Sequence, residues 1–347
     1  MSKSSDQRSL LGLGEFGLIQ SLQRQFGKTG RSVLKGIGDD TAIIHPPAHS
    51  SLLITTDLLT EGIHFDLRFQ TLEDVGHKTA VANLSDIAAM GGTPLYLLIS
   101  LAIPKIHKPL SMQSLYKGIM GICQTYGVQL IGGDTSGSRR DLMITGTLVG
   151  QVKPQHALQR CGAQVGDRIY VTGTLGDSRA GLAILQQRTR SMSTPTFTKT
   201  EKFLVKRHLR PIPRLEIGQA LAKYQMATAA IDISDGFSGD IHHLCKASGV
   251  GALIWEESLP LSDSCSRYCT QHKLNATQLG LAGGEDYELA FTSPHKFHHK
   301  LIRLAEKLAL PITCVGEVQP QAFGVQLKQR GGRNRKLLRT SFDHFKS

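Results

Sequence analysis

Several carboxylates of this 347-residue chain lie where an apolar run ends or where a glycine turn stands. They are Asp39 and Asp40 after Gly38, Asp57 at the end of LLITTD, Asp134 at the end of LIGGD, and Asp232 and Asp235 in AIDISDG. Asp86 lies in the NLSD segment of a predicted helix. Residues that contact ligands in α/β domains usually occupy strand ends. The pattern therefore predicts a ligand site assembled from distant parts of the chain.

The chemistry that suits this pattern is phosphate binding through magnesium. Carboxylates that converge on one site repel one another unless a cation lies between them. Mg²⁺ prefers hard oxygen ligands and is usually held by a few carboxylates together with substrate phosphates. The hydroxyls of Thr55, Thr56 and Ser234, beside the aspartates, suit Mg²⁺ better than zinc. Neighbouring glycines let backbone N–H groups approach phosphate.

Structural roles compete with this interpretation at single positions. An aspartate after a strand often forms a turn or caps a helix, and Asp39, Asp177 and Asp286 fit that description. His64 in TEGIHF either contacts a substrate phosphate or packs within its loop. The pair His242–His243 lies on a predicted helix and is interpreted as structural.

Two glycine motifs lack the context that would give them function. GLGEFG at residues 12–17 matches a dinucleotide fingerprint, but a polar terminus precedes it where a strand is needed. GKT at residues 27–29 resembles the end of a P-loop, but Leu22 stands where the earlier glycine is required. Neither motif predicts a nucleotide site.

Composition limits the class of partner. The net charge of +12 suggests either an anionic partner or simply a basic solvated surface. One Trp and 6% aromatics argue against stacking platforms for single-stranded nucleic acid, so a nucleic-acid partner is not indicated. The six cysteines contain no CxxC pair. Without an apolar run of membrane-span length or a signal peptide, we expect reduced thiols, no membrane partner and a cytoplasmic location.

The elements that must position these residues interleave helices and short strands. Predicted strands are 40–44, 52–56, 95–103, 128–134, 142–152, 252–255, 289–292 and 312–315. A turn followed by a strand is predicted within 162–173, and AAIDISDG at 229–236 is predicted as a strand that runs into a turn. Predicted helices are 15–24, 71–90, 111–126, 175–187, 215–224 and 237–248, and residues 188–200 are expected to form a mobile polar loop. We expect an α/β (α+β) protein of two domains, 1–150 and 151–347.

Eight segments occur in an order that resembles thiamine-monophosphate kinases. They are GEFGLI, GIGDDTAII, TTDLLTEGIHF, NLSDIAAMGGTP, LIGGDTS, RPIPR, AIDISDG and GGEDYEL. The resemblance implies an ATP-binding fold shared with aminoimidazole ribonucleotide synthetase and selenide-water dikinase. It further implies a homodimer in which N-terminal sheets pair into a barrel, a C-terminal α+β domain, and ATP-dependent phosphorylation of thiamine phosphate to thiamine diphosphate.

The resemblance also carries roles to individual residues. It implies several Mg²⁺ ions held by Asp40, Thr55, Thr56, Asp57, Asp86, Asp134, Asp232 and Asp235. It implies that ATP is contacted by Gly133, Asp134, Arg160 and Ser234, and that thiamine phosphate is contacted by His64, Glu285 and Phe342.

Two departures and several alternatives stand beside this interpretation. The family often has GGDTTRG where this chain has GGDTSGS, so that arginine is missing or replaced by Arg139 or Arg140, and Phe342 stands where Tyr is common.

Selenide-water dikinase needs a reactive residue near its N-terminus, whereas the first cysteine here is Cys123, and the related hydrogenase-maturation factor has a cysteine tail that FDHFKS lacks. A nucleic-acid-binding protein would explain the charge but not the ordered aspartates. A nucleotide sensor that binds ATP without consuming it stays open.

Overall fold

Strands and helices alternate along the chain in the computed structural model, which describes residues 19–27, 32–35, 37, 42–45, 48–190 and 196–342. The chain divides into two units. Unit 1 takes the described residues up to Asn83 together with Pro94–Gln151, and unit 2 takes Leu84–Thr93 and the described residues from Val152 onward. Each unit has its own main sheet, which confirms the mixed α/β class with two domains.

Unit 1 is built on a four-stranded sheet. Its strands are β3 (Ser51–Thr60), β4 (Thr93–Pro104), β5 (Gln129–Ser138) and β6 (Met143–Val152), in the order β3-β6-β4-β5. The helices are α1 at residues 19–26, α2 (Leu72–Ala89) and α3 (Pro109–Thr125), and β1 (Val33–Lys35) pairs with β2 (Ile43–Ile44). Strands β4 and β5 run parallel, which requires the crossover that α3 supplies.

Helices α2 and α3 approach closely because glycine stands on both sides of their contact. A Cβ on Gly76 would lie 2.0 Å from the carbonyl oxygen of Leu115, and a Cβ on Gly118 would lie 1.9 Å from that of Glu73. Packed interiors do not tolerate such overlap, so any larger residue would push the helices apart. The contact therefore fixes the position of the first turns of α2.

Unit 2 is built on a seven-stranded sheet covered by helices. Its strands are β7 (Arg168–Thr172), β8 (Ala229–Ile233), β9 (Gly251–Trp255), β10 (Glu288–Ser293), β11 (Ile312–Gln319), β12 (Val325–Lys328) and β13 (Asn334–Lys336), in the order β13-β12-β9-β11-β7-β10-β8. Its helices are α4 (Asp177–Arg190), α5 (Lys199–Leu209), α6 (Leu215–Lys223), α7 (Phe237–Ser248), α8 (Asp263–His272), α9 (Ala276–Ala282) and α10 (His298–Leu308). Its core includes fully buried Ile233, Phe237 and Ile254. All five residues of β8 are buried, which places the adjoining turn against this core.

The segment Leu84–Thr93 is built into unit 2 by backbone and side-chain hydrogen bonds. The N–H of Leu158 donates to the carbonyl oxygen of Met90 at 3.1 Å, and Nε2 of Gln219 donates to that of Gly92 at 3.0 Å. Helix α2 thus begins in unit 1, and its last turns belong to unit 2.

The structure extends several predicted strands and adds elements. Asp57 and Asp134 were expected at strand ends, but Asp57 lies inside β3 and Asp134 lies inside β5. Strand β5 continues past Asp134 because the glycine, serine and threonine residues beyond LIGGD pair with β4. Tertiary pairing here overrides weak strand propensity. The expected loop at 188–200 is partly wrong, since α4 runs to Arg190 and a capping box between Thr198 and Glu201 starts α5. Among the described residues, no helix has both the length and the apolar character needed to cross a bilayer.

Candidate functional site

The predicted ligands on β3 divide between the two faces of the strand. Successive strand residues point to opposite faces, so Thr55 and Asp57 share one face. Both are half-buried, whereas Thr56 lies on the other face with exposed Ile54. The hydroxyl of Thr56 donates to the carbonyl oxygen of Gly146 at 3.1 Å. The strand therefore brings Thr55 and Asp57 together and directs Thr56 to the opposite side of the sheet.

Gly133 and Asp134 lie on β5, the opposite edge strand from β3. Gly133 has a φ of 153°, and a Cβ there would lie 1.9 Å from the carbonyl oxygen of Ile99, so the position requires glycine. Asp134 pairs with Ser100 on β4 just after a shift in the register of the two strands. Two further strands separate the backbone of Asp134 from that of Asp57.

His64 lies in a tight turn that follows β3. The N–H of Thr60 donates to His64 Nδ1 at 3.0 Å, and the N–H of His64 donates back to the carbonyl oxygen of Thr60 at 2.9 Å. The N–H of Gly62 donates to the carbonyl oxygen of Phe65 at 2.7 Å. Lys78 Nζ on α2 donates to the carbonyl oxygen of His64 at 3.3 Å. These bonds hold both the backbone and the ring of His64.

In unit 2, the carboxylate of Asp232 is buried near the end of β8. It accepts a hydrogen bond from the hydroxyl of Ser85 at 2.8 Å, and Ser85 is itself fully buried. Because Ser85 precedes Asp86 on α2, this bond brings the NLSD segment beside the DISDG segment. Ser234 and Asp235 follow directly in the turn between β8 and α7. The structure thus gathers Asp86, Asp232 and Asp235 into one region of unit 2.

The carboxylate of Asp240, on α7, also lies close to Asp232 and Asp235. Its Oδ2 accepts the N–H of Gly236 at 3.1 Å. Burial, and then the charges of Asp232 and Asp235, raise the pKa of Asp240 well above its ordinary value, while Arg160 acts in the opposite direction. This excess of negative charge is what a divalent cation offsets, so the oxygen donors fit Mg²⁺. Arg160, an expected ATP contact, belongs to the same electrostatic group.

The turn that carries Glu285 is bonded to the turn that carries Ser234. The N–H of Glu285 donates to the carbonyl oxygen of Ser234 at 2.7 Å, and a Cβ on Gly284 would lie 2.7 Å from the same oxygen. Glu285 and Tyr287 both adopt left-handed backbone conformations, with φ of 63° and 51°. Such strain at non-glycine residues persists only where surrounding structure holds it, and it is concentrated at functional sites.

A buried network of ion pairs and hydrogen bonds holds the residues that follow Glu285. Glu288 accepts bonds from Arg207 Nη2 at 2.8 Å and from Arg214 Nε at 2.6 Å, and a second bond joins Arg214 Nη2 to Glu288 Oε1. Asp286 caps α4 by accepting two backbone N–H groups at 2.6 and 3.1 Å, a role that the sequence left open. Burial raises the pKa of Asp286 to about 7, despite the opposing charge of Arg207. His208 Nδ1 lies 3.4 Å from Glu285 Oε2 and completes the support.

Phe342 is brought to the same region by the last described residues. Its N–H donates to the carbonyl oxygen of Asp235 at 3.0 Å. The N–H of Thr340 donates to the hydroxyl of Ser238 at 3.2 Å, so the segment lies along the start of α7. The ring of Phe342 is half exposed. Ser234, Asp235, Glu285 and Phe342 therefore form one hydrogen-bonded neighbourhood.

Asp40, an expected magnesium ligand, lies outside the described residues, as do Asp39 and the GLGEFG motif. In the described part of the chain, no three His, Cys, Asp or Glu side chains are grouped so that they could hold a metal ion by themselves. Arg139 and Arg140 are both exposed, after β5.

The buried polar residues that sequence reasoning missed include Ser85, Asp240, His208 and Lys78. Neither Ser85 nor Lys78 stands out in the sequence, because α2 also carries other polar residues such as Thr79 and Asn83.

Both halves of the chain match models of AIR synthase related proteins. Residues 38–152 match the N-terminal domain and residues 164–328 match the C-terminal domain. A thiamine-monophosphate kinase from Salmonella typhimurium is 40% identical over 318 residues, covering 92% of this chain and 94% of that protein.

Solved structures of thiamine-monophosphate kinases are also similar to this chain. Thiamine-monophosphate kinase from Stenotrophomonas maltophilia matches with a TM-score of 0.80 and 34% identity over 92% of this chain and 95% of that one. AaThiL complexed with AMPPCP and TMP matches with a TM-score of 0.75 and 36% identity over 97% and 99%. The chain therefore belongs to the thiamine-monophosphate kinase family.

Proposed function

We propose that this chain transfers the terminal phosphoryl group of ATP to thiamine phosphate and forms thiamine diphosphate. The observation that carries the proposal is 40% identity to a thiamine-monophosphate kinase across 92% of the chain. Similarity to AaThiL complexed with AMPPCP and TMP supports both substrates.

The motifs of the sequence supply the proposed ligands of this reaction. Magnesium would be held by Asp40, Thr55, Asp57 and Asp134 and by Asp86, Asp232 and Asp235. The expected role of Thr56 is not kept, because its hydroxyl faces the other side of the sheet and donates to the carbonyl oxygen of Gly146. ATP would contact Gly133, Asp134, Arg160 and Ser234, and thiamine phosphate would contact His64, Glu285 and Phe342. Magnesium, when bound, offsets phosphate charge and orients the transferred group.

The reaction requires mainly that the two substrates be positioned for transfer. The acceptor is already a phosphate, largely dianionic near neutrality because its second pKa is about 6, so it needs no general base. The bond from the N–H of Glu285 to the carbonyl oxygen of Ser234 joins a residue assigned to the acceptor to one assigned to ATP. The N–H of Phe342 donates to the carbonyl oxygen of Asp235, which joins a third proposed substrate contact to these turns. We therefore propose direct in-line transfer without a covalent enzyme intermediate.

One assay tests the reaction. The purified chain is incubated with ATP, Mg²⁺ and thiamine phosphate, and thiamine diphosphate is measured by chromatography. Thiamine diphosphate should form only when all three are present. ATP binding without product would favour a nucleotide sensor, and a labelled phosphoenzyme would contradict direct transfer.

Replacing proposed magnesium ligands tests the metal assignment. Asp57→Asn and Asp134→Asn should each lower turnover by at least about 100-fold, since losing even a supporting partner of a ligand costs 10–100-fold. Circular dichroism should show that the fold survives. Asp263→Asn, on an exposed position in the first turn of α8, is the matched control and should turn over like the wild type.

We also propose that unit 1 forms the dimer contact and that pairing of its sheet with a second copy closes a barrel. Strand β3 is an edge strand that exposes Leu52, Ile54 and Leu58, with Ile54 exposed to 70%. Apolar edge strands favour pairing with another chain. Ile54→Asp should give monomers in sedimentation, whereas Ile302→Asp on exposed α10 should not change the mass. A cytoplasmic location stays a prediction.

A further inference from the structure

Lys78 is a fully buried lysine that the proposed reaction does not use. Its side chain, on α2 within unit 1, has 0% exposure. Lysine is almost never fully buried without a specific partner, because removing the ammonium from water is costly. Its Nζ donates to the carbonyl oxygen of His64 at 3.3 Å. The buried ammonium therefore has a hydrogen bond to the backbone of the turn that carries His64.

The hydrogen bonds of that turn also define the protonation of the His64 ring. A backbone N–H only donates, so His64 Nδ1, which lies 3.0 Å from the N–H of Thr60, must accept. In the neutral ring the other nitrogen then carries the proton, and Nε2–H is a donor. The reciprocal bond from the N–H of His64 to the carbonyl oxygen of Thr60 fixes the ring relative to the backbone.

The position of Lys78 is fixed in turn by its helix. Gly76, two residues earlier, makes the close contact between α2 and α3. The start of α2 is capped by Thr71 and Asp74, where the N–H of Asp74 donates to the Thr71 hydroxyl at 3.1 Å and the Thr71 N–H donates to Asp74 at 3.2 Å. Nζ therefore reaches the His64 turn from a rigid support.

We propose that Lys78 is a positioning residue that holds the 60–65 turn so that neutral His64 donates through Nε2–H to the phosphate of the acceptor. This inference rests on the proposed function. It assigns His64 as a fixed hydrogen-bond donor and not as a base, because Nδ1 is occupied by Thr60 and Nε2 already carries a proton.

Two substitutions of His64 separate the roles of its nitrogens. The amide nitrogen of Gln overlies Nε2 of histidine, whereas that of Asn overlies Nδ1. His64→Gln should keep KM for thiamine phosphate within about fivefold of the wild type, and His64→Asn should raise it about 10- to 100-fold, as expected for losing a donor to a charged group. Equal effects, or a better Asn variant, would overturn the assignment of the donor.

Lys78→Met removes the ammonium and keeps an unbranched apolar side chain. KM for thiamine phosphate should rise about tenfold, and KM for ATP should stay unchanged. Lys117→Met, on α3 with a side chain that is 71% exposed, is the matched control and should change neither. An unchanged KM in a folded Lys78→Met enzyme refutes the positioning role.

A spectroscopic readout keeps the test independent of activity. Two-bond ¹H–¹⁵N spectra of ¹⁵N-histidine protein report the tautomer, and comparison with His64→Gln assigns the His64 signals. The wild type should show a protonated Nε2 and an unprotonated Nδ1; the opposite tautomer overturns the inference even if Lys78→Met does not fold. If thiamine diphosphate never forms, the proposed function fails, while the tautomer result still decides the geometry of the turn.

Discussion

Ser85→Ala is expected to weaken magnesium binding without touching a magnesium ligand. The Ser85 hydroxyl donates to Asp232 Oδ2 at 2.8 Å, and both side chains are buried. Alanine removes the donor and leaves a carboxylate oxygen that water cannot easily reach. Asp232 would then lose the bond that fixes its orientation.

The size of the effect follows from the type of bond. A hydrogen bond to a charged group contributes about 1.5–3 kcal/mol, and 1.4 kcal/mol corresponds to a factor of ten. Loss of the Ser85 bond should therefore raise the half-saturating concentration of free Mg²⁺ by about 10- to 100-fold, the range found for partners of metal ligands. The rate at saturating Mg²⁺ should remain close to that of the wild type.

The assay is the initial rate of thiamine diphosphate formation against free Mg²⁺ at a fixed concentration of the magnesium–ATP complex. Ser293→Ala is the matched control, because Ser293 is also fully buried in unit 2 and donates to the carbonyl oxygen of Met226 at 2.5 Å. This control should lose stability but keep its magnesium dependence. An unshifted curve for Ser85→Ala, or an equal shift in both variants, would refute the reasoning.

Two further predictions concern stability. Gly118→Ala should lower the free energy of unfolding by about 1–3 kcal/mol through its overlap with the carbonyl oxygen of Glu73, whereas Gly121→Ala in the same helix meets open space and should raise it by up to about 1 kcal/mol; urea denaturation measures both. Asp286 keeps its proton to a pH of about 7 when folded, but its ordinary pKa is near 3.8 when unfolded. The unfolded state therefore releases this proton first, and the free energy of unfolding should fall by up to about 4 kcal/mol as pH rises from 4 to 7. Asp286→Asn should remove that slope, and a variant as pH-sensitive as the wild type would contradict the assignment.

Among the elements that the sequence predicted, helix bounds agree with the structure more closely than strand bounds, but the helices α5, α8, α9 and α10 were missed. The helix at 237–248 is observed as Phe237–Ser248, because an apolar face and a following Gly249 define it locally. Strand β5 was cut short at Asp134, because its second half consists of glycine, serine and threonine. Only pairing with β4 makes those residues a strand, and such pairing depends on the rest of the sheet.

The sequence predicted the candidate ligand-binding residues but not the residues that orient them. Motifs identified Asp232, Ser234 and Glu285, and the structure joins their turns by a direct backbone bond. The partners that orient them, such as Ser85 and His208, are separated from them by long stretches of sequence. No local sequence pattern predicts that the Ser85 hydroxyl donates to the carboxylate of Asp232, because the two residues are 147 positions apart and meet only after folding.

The course of α2 has a practical consequence for dissecting the protein. Because Leu84–Thr93 is built into unit 2, the two units are interleaved along the chain and not arranged one after the other. A cut near residue 151 would deprive unit 2 of the carbonyl groups that receive Leu158 and Gln219, and of the serine that holds Asp232. A fragment beginning at Val152 would thus lose these hydrogen bonds, including the one from Ser85 to the buried carboxylate of Asp232. A fragment meant to contain the whole of unit 2 therefore has to include the ten residues Leu84–Thr93.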